Sequence, residues 1–125
     1  MNKKSSRTET KKLAQAIAKA AKSKKAQKVV ILDMRKVASF CDYFVIASGT
    51  SLRQVNAIAQ GIEEELSKYG IKPLSHLSQR DDSGWVAVDC VSVIAHIFYE
   101  PMRDLYSLES LWSDAKKVKV AKSSR

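Results

Sequence analysis

Apolar residues near the N-terminus recur at helical spacing. Leu13 and Ile17 share one stripe with Ala20 and Ala21, and lysines occupy the other faces, a pattern typical of an amphipathic helix. Residues 6–9 are Ser-Arg-Thr-Glu, a capping box that predicts where the helix begins, because both side chains can accept hydrogen bonds from free backbone N–H groups.

Two short apolar runs follow this helix. Residues 29–32 predict a buried strand, and residues 43–48 predict a second one. The loop of residues 33–41 is too short for a helical crossover, so we expect the two strands to pair antiparallel.

The clearest helical pattern comes directly after the second strand. Ser51 and Gln54 form another capping box, and Gly70 is a natural C-terminal stop. The apolar stripe between them has the spacing i, i+3, i+4, i+7. Its members are Val55, Ile58, Ala59, Ile62, Leu66 and Tyr69.

The chain after Gly70 predicts more strands. Residues 73–77 predict a weak third strand that would complete a right-handed βαβ unit. Residues 85–89 and 91–98 predict a β-hairpin around Cys90. We therefore expect an α/β fold in a single domain, with a mixed sheet of about five strands flanked by helices.

The hairpin carries a pair of side chains that could face a partner. With Cys90 and Val91 as the loop, Trp85 lies opposite His96 on one face of the hairpin. Such a pair could be core packing, or it could be an exposed anchor, since Trp is frequent among binding hot spots.

The C-terminal region predicts short helices and a tail. Pro101 suits the first turn of a helix that ends near Tyr106, and Ser107 predicts the cap of one further turn. A single turn cannot bury all the apolar residues of this region, which indicates a contact surface beside the hairpin. Those at helical spacing are Leu105, Leu108 and Trp112. From Val118 on, too few apolar residues remain for the tail to fold.

The net charge of +9 is distributed unevenly. Residues 1–28 contain ten Lys/Arg and one Glu, and residues 113–125 contain five Lys/Arg and one Asp. Residues 29–112 are acidic, with seven Lys/Arg and eleven Asp/Glu. Basic ends either attract phosphate-rich partners or only keep a chain solvated. We expect an arm at 1–7, a domain at 8–113 that binds a protein, and a basic flexible tail at 114–125, with auxiliary contacts from the basic ends to a phosphate-rich partner such as RNA.

Cysteine usage and hydropathy predict where the protein works. Cys41 and Cys90 form no CxxC pair, which favours buried thiols in a reducing compartment. No apolar run reaches the length of a membrane span, and the N-terminus lacks the apolar stretch of a signal peptide. We expect a cytoplasmic protein with no membrane partner.

Candidate sites for catalysis or metal binding are weak. A metal-dependent nucleotidyltransferase needs two carboxylates at alternate positions of a strand, but Val91 stands two places after Asp89, and Asp81 and Asp82 are adjacent. Neither histidine lies in a ligand-spaced cluster. The turn at 49–51 lacks the spacing of a nucleotide loop. We expect no catalytic residue, cofactor or metal.

Two dense segments resemble the ribosomal silencing factor family, also called RsfS or Iojap. The first is Asp-Tyr-Phe-Val-Ile-Ala-Ser-Gly-Thr-Ser-Leu-Arg-Gln at 42–54. The second begins with Gly-Trp-Val-Ala-Val-Asp at 84–89, and continues with His-Ile-Phe at 96–98 and Tyr-Ser-Leu-Glu-Ser-Leu-Trp at 106–112. The segments occur in the family's order.

The resemblance implies a non-enzymatic factor with a topology similar to that of nucleotidyltransferases, without their catalytic carboxylates. It implies binding to the large ribosomal subunit, through the fourteenth large-subunit protein in the usual naming, at the subunit interface. The bound factor would block joining of the small subunit and repress translation when nutrients are limiting. The alternatives are assembly of the large subunit, as in organellar relatives, a metal-dependent nucleotidyltransferase, and a general RNA-binding module. A monomer and a homodimer are both compatible.

The resemblance places the partner-binding surface on the hairpin and the C-terminal turns, centred on Trp85. The predicted partner-binding residues are Trp85, Asp89, His96, Arg103, Tyr106, Leu108 and Trp112.

The chain departs from the family pattern at two places. Asp-Cys-Val-Ser at 89–92 stands where the family usually has Asp-x-Gly-Asp, which predicts a wider turn because Gly tolerates positive φ best. The family's Glu-Gly before the Trp is replaced within 77–82, so we expect one acidic contact to the partner to differ unless Asp81 or Asp82 replaces it.

Overall fold

The computed structural model describes residues 3–73 and 82–120, without the side chains of residues 3–8 and of Tyr106. The predicted third strand lies outside the described residues from residue 74 onward. The elements are α1 (Lys3–Ser23), β1 (Gln27–Asp33), β2 (Tyr43–Gly49), α2 (Leu52–Lys68), β3 (Trp85–Asp89), β4 (Val93–Tyr99), α3 (Glu100–Tyr106), α4 (Leu108–Leu111) and β5 (Lys116–Val118).

The five strands form one mixed sheet in the order β3-β4-β2-β1-β5. β2 and β4 are parallel, and the other neighbouring strands are antiparallel. The predicted α/β class and the antiparallel pairing of β1 with β2 are therefore confirmed. The parallel partner of β2 is β4, so the chain passes through α2 and the edge strand β3 before it returns to the centre of the sheet.

Alternate residues of each strand enter two separate cores, because successive side chains of a strand point to opposite faces. In β2, Tyr43, Val45 and Ala47 join the core beneath α1 and α2. Phe44 and Ile46 join a second core on the other side, where α3, α4 and the loop of residues 34–42 lie. We call this the second face of the sheet.

The predicted capping box at the start of α2 is confirmed. The Ser51 hydroxyl accepts from the Gln54 N–H at 3.0 Å, and Gln54 Oε1 accepts from the Thr50 N–H at 2.6 Å. Gln54 Nε2 also donates to the carbonyls of Lys24 and Lys25, at 3.2 and 3.1 Å. One side chain therefore fixes the start of α2 to the end of α1.

The predicted capping box at the N-terminus is wrong. α1 already includes Lys3, so Ser6 lies inside the helix and the predicted arm at 1–7 is helical from residue 3. Lys is a good helix former, and nothing in residues 3–5 interrupts the helix.

The predicted flexible tail at 114–125 is wrong for residues 116–118, which form β5. This strand pairs with β1 through Ile31–Val118, Leu32–Lys117 and Asp33–Lys116. Val118 and Val120 pack against the core beneath α1 and α2. Residues 116–118 form a strand because they pair with the free edge of β1, although their own composition does not predict one.

Candidate docking surface

The β3–β4 hairpin has a register that differs from the prediction by two residues. The observed pairs are Trp85–Phe98, Ala87–His96 and Asp89–Ile94. Cys90 is buried and continues the inward alternation of Val86 and Val88. Because Cys90 belongs to this apolar face and not to the loop, the turn lies one position later than predicted.

The hairpin turn is tight, so the predicted wider turn is wrong. Val91 is the central residue of a γ-turn closed by a 2.9 Å hydrogen bond from the Ser92 N–H to the Cys90 carbonyl. Its φ of 73° is unfavourable for a β-branched residue. Asp89 supports the turn by accepting from the Val91 N–H at 2.8 Å. The turn thus keeps a geometry suited to Gly at the position where the family usually has one.

Trp85 and His96 touch despite the shifted register, because diagonal neighbours on one face of a hairpin remain within reach of large side chains. Trp85 Nε1 donates to His96 Nδ1 at 3.1 Å, and the Trp85 ring lies 5.1 Å from that of Phe98. Trp85 is half-buried and His96 is only 8% exposed. His96 and Phe98 therefore fix the indole in place, while part of the indole surface is exposed to solvent.

His96 is a buried, neutral imidazole. An indole N–H can only donate, so Nδ1 accepts and the ring proton is on Nε2, which has no hydrogen-bond partner among the described residues. Burial lowers the pKa of His96 to about 4, against an opposing effect of the Asp89 carboxylate. His96 presents almost no surface to a partner and instead supports Trp85.

The β3 end of the second face is the less covered part of the sheet. Ala87 is exposed, and Trp85, Asp89 and Ile94 are half-buried on the same face of the hairpin. α3 packs against β4 and β2, the strands nearer the centre of the sheet. We call Trp85, Ala87, Asp89 and Ile94 the open face.

Aromatic side chains border the open face. Trp112 is half-buried and meets the ring of Phe44 edge-on at 6.1 Å. Phe40 packs against Trp112 at 6.0 Å and is 55% exposed. We call Phe40 and Trp112 the aromatic rim. The prediction missed Phe40, and the available signal was a single large aromatic residue in a loop without a periodic pattern.

The other predicted partner-binding residues have different positions. Leu108 is buried in the core of the second face. The Tyr106 side chain lies outside the described residues. Leu105 and Leu111, in contrast, are 71% and 69% exposed, so the surplus apolar residues of this region are these two.

Arg103 is buried and its guanidinium bonds within the chain. It forms a two-pronged pair with Glu109, from Nε to Oε1 at 3.1 Å and from Nη2 to Oε2 at 2.9 Å. Nη1 donates to the Ser48 hydroxyl at 2.8 Å and to the Lys28 carbonyl at 2.5 Å. These bonds attach the α3–α4 corner to β1 and β2, and they lower the pKa of Glu109. We call this set the Arg103 clamp.

Ser107 joins the two short helices and is the N-cap residue of α4, as predicted, but its side chain does not provide the cap. Its φ is 48° and it makes no side-chain cap bond to α4. Its hydroxyl instead donates to the Asp104 carbonyl. Ser107 adopts left-handed backbone angles at the junction between α3 and α4.

The described ranges contain neither a metal site nor a membrane-spanning helix. Within residues 3–73 and 82–120, no three His, Cys, Asp or Glu side chains are placed to hold a metal ion. Over the same ranges, no helix combines the length and the apolar character that crossing a membrane requires.

Comparison with known proteins shows which protein family the chain matches. Residues 7–125 match the family model described as "Ribosomal silencing factor during starvation". The chain is 38% identical over 98 residues to the ribosomal silencing factor RsfS of Bacillus subtilis, which covers 78% of this chain and 82% of that protein. It is 35% identical over 108 residues to RsfS of Halalkalibacterium halodurans, covering 86% of this chain and 92% of that protein.

The fold has a solved counterpart as well. A crystal structure of a protein from Chromobacterium violaceum superposes with a TM-score of 0.75 at 29% identity, covering 93% of this chain and 92% of that chain. Because the family model matches nearly the whole sequence, the chain belongs to the ribosomal silencing factor (RsfS, Iojap) family.

Proposed function

We propose that this protein docks on the large ribosomal subunit through its open face and aromatic rim, and so blocks joining of the small subunit. As a ribosomal silencing factor it regulates translation and is not an enzyme. The partner that we infer is the fourteenth large-subunit protein at the subunit interface, met in the cytoplasm under nutrient limitation. A topology like that of nucleotidyltransferases remains a further prediction of the family resemblance.

The observation that carries the proposal is the half-buried Trp85. Its indole N–H bonds to His96 and its ring packs on Phe98, so a partner would meet an anchor that is already immobilised. A preorganised aromatic side chain loses little entropy on binding, and buried aromatic anchors dominate many interfaces. Phe40 in the aromatic rim and Ile94 in the open face supply further apolar area, which a partner can remove from water.

The test uses separated ribosomal subunits on sucrose gradients. The wild-type protein should migrate with large subunits and reduce their joining to small subunits. Trp85→Ala should weaken this binding by about 2–4 kcal/mol, the usual loss for a desolvated Trp anchor. The same change should leave the protein folded, with a smaller loss of melting temperature than truncation of a fully buried Trp would cause, because the Trp85 side chain is only partly buried.

Tyr69→Ala is the matched control. Tyr69 is an exposed aromatic residue, 56% accessible, at the end of α2 and away from the second face. It should bind like wild type. Migration of the wild-type protein with small subunits only, or normal binding of folded Trp85→Ala, would contradict the proposal. Accumulation of immature large subunits in cells without the protein, with normal joining of mature ones, would indicate assembly instead.

A further inference from the structure

We propose that α1 and β5 together form a binding surface for the phosphate backbone of RNA. This inference rests on the proposed function, because ribosomal RNA is then the phosphate-rich chain beside the docked protein. It concerns a built surface of the fold, whereas the sequence predicted a basic arm at 1–7 and a separate flexible tail at 114–125.

The fold brings the two basic ends of the chain together. Gln15 on α1 donates from Nε2 to the Lys119 carbonyl at 2.9 Å. Lys11 lies one turn before Gln15 on the same stripe of α1, and Lys19 lies one turn after it. Lys11 and Lys19 therefore lie on the stripe of α1 that contacts the β5 segment.

A cleft at this edge is bordered mostly by cations. Its charged residues are Lys11, Asp33, Arg35, Lys116, Lys117 and Lys119. Asp33, the only carboxylate among them, pairs with Arg35 at 2.6 Å, and this pair holds the pKa of Asp33 below its usual range. The four lysines are exposed. Within the described part of the cleft, positive charge is therefore in clear excess.

The composition of the cleft suits phosphates better than bases or an acidic protein. Lysine ammonium groups are compact point charges that bind phosphate without a fixed orientation. The cleft exposes no aromatic ring on which a base could stack, since Tyr43 is 2% exposed. Val118 is half-buried, so little apolar surface is available for a protein interface core. The surface should therefore bind RNA without reading its sequence.

We call Lys11, Arg35, Lys116, Lys117 and Lys119 the basic edge. The basic edge and the open face can bind their partners at the same time. β5 and β3 are the opposite edges of the sheet, separated by four strand spacings or about 19 Å. This distance exceeds the Debye length of about 8 Å at physiological salt. Charge changes at β5 should therefore leave the electrostatics of the open face almost unchanged.

The test compares two double variants with equal changes in charge. Lys116→Gln with Lys119→Gln removes two lysines of the basic edge, and Lys68→Gln with Lys72→Gln removes two exposed lysines elsewhere. Binding to purified large subunits is measured from 50 to 300 mM KCl, about the range in which phosphate contacts lose affinity. The basic-edge variant should flatten the slope of log affinity against log salt by about 2, or about 1 per phosphate contact. The control variant should keep the wild-type slope.

A second measurement separates this inference from the proposed function. A 16-base-pair RNA duplex should bind the wild type and the control variant at 50 mM KCl, and the basic-edge variant at least tenfold more weakly. Equal slopes and equal duplex affinities for both variants would overturn the inference while leaving docking through the open face intact. Competition by poly-glutamate at equal charge, as strong as by RNA, would assign the surface to an acidic protein instead. Failure of Trp85→Ala to affect subunit binding would contradict the proposed function, whereas the duplex result would still test the basic edge.

Discussion

At the scale of single residues, Val91 is a strained position whose replacement has a predictable effect. Its φ of 73° costs a β-branched residue about 1–3 kcal/mol, and its side chain is 61% exposed, so little packing would be lost. Val91→Gly should raise the free energy of unfolding by about 1 kcal/mol, after the extra entropy of Gly in the unfolded chain is subtracted. Urea unfolding measures this change.

Val91→Thr is the control for this prediction, because Thr keeps the branched Cβ and should give no gain. A stabilisation by Thr equal to that by Gly would show that the γ-turn is not the source of strain.

His96 should make stability depend on pH. Its pKa is about 4 in the folded protein and 6.5 in a free histidine, so on acidification the unfolded chain takes up the proton first. The stabilisation is complete above pH 6.5 and is lost as the pH falls toward 4. The free energy of unfolding should drop by about 3 kcal/mol over this window.

Urea unfolding between pH 7.5 and 5, where Asp and Glu still contribute little, should record about 2 kcal/mol of this drop, because at pH 5 the unfolded chain has taken up the proton while folded His96 is still neutral. His96→Gln cannot take up a proton in this range and should show a flatter profile. Parallel profiles for the two proteins would mean that His96 is protonated as easily in the folded state as in the unfolded state.

At the scale of elements, the Arg103 clamp determines how the α3–α4 corner sits on the sheet. Breaking a buried ion pair costs about 3–5 kcal/mol, but the Glu109 side chain is 34% exposed and Gln can still accept one bond. Glu109→Gln should therefore lower the free energy of unfolding by about 2 kcal/mol. Thermal unfolding measures it, with Glu64→Gln on the exposed side of α2 as the control. If Glu109→Gln lowered the free energy of unfolding by less than about 1 kcal/mol, and by no more than the control does, the Arg103–Glu109 pair would stabilise the protein no more than an ordinary surface ion pair.

The sequence predicted those elements whose own residues determine their structure. The apolar stripe of α2, from Val55 to Leu66, is buried as its spacing predicts, and the apolar run in β1 forms a strand. β5 could not be predicted in this way, because a Lys-Lys-Val segment forms a strand only when an edge such as that of β1 is free to pair with it.

The candidate site was predicted only in part, for a similar reason. The sequence and the family resemblance point to Trp85, Asp89 and Trp112, which lie on the second face of the sheet, and binding of a partner by these residues stays a prediction. They do not indicate that Arg103 and Leu108 are buried beneath that surface, because burial of these residues depends on how α3 and α4 fold back over the sheet. Phe40 joins the surface from a loop that has no periodic pattern.

At the scale of the whole molecule, the C-terminal segment has a structural role besides its charge. β5 protects the edge of β1, and Val118 and Val120 pack on the core beneath α1 and α2. Deleting residues 114–125 should lower the free energy of unfolding by about 2 kcal/mol, the value of partly burying such side chains. It should also promote self-association, because β1 becomes an exposed apolar edge strand. Thermal unfolding and gel filtration measure the two effects.

The double substitution of Lys116 and Lys119 by Gln distinguishes the structural role of β5 from the effect of its positive charge. It leaves the backbone of β5 and the packing of Val118 in place, and exposed substitutions of this kind usually change stability by less than about 0.5 kcal/mol. We therefore expect a monomer of wild-type stability whose binding to large subunits depends less on salt. If the deletion were as stable as wild type and showed only the same loss of salt dependence, residues 114–125 would act as the flexible basic tail that the sequence predicted.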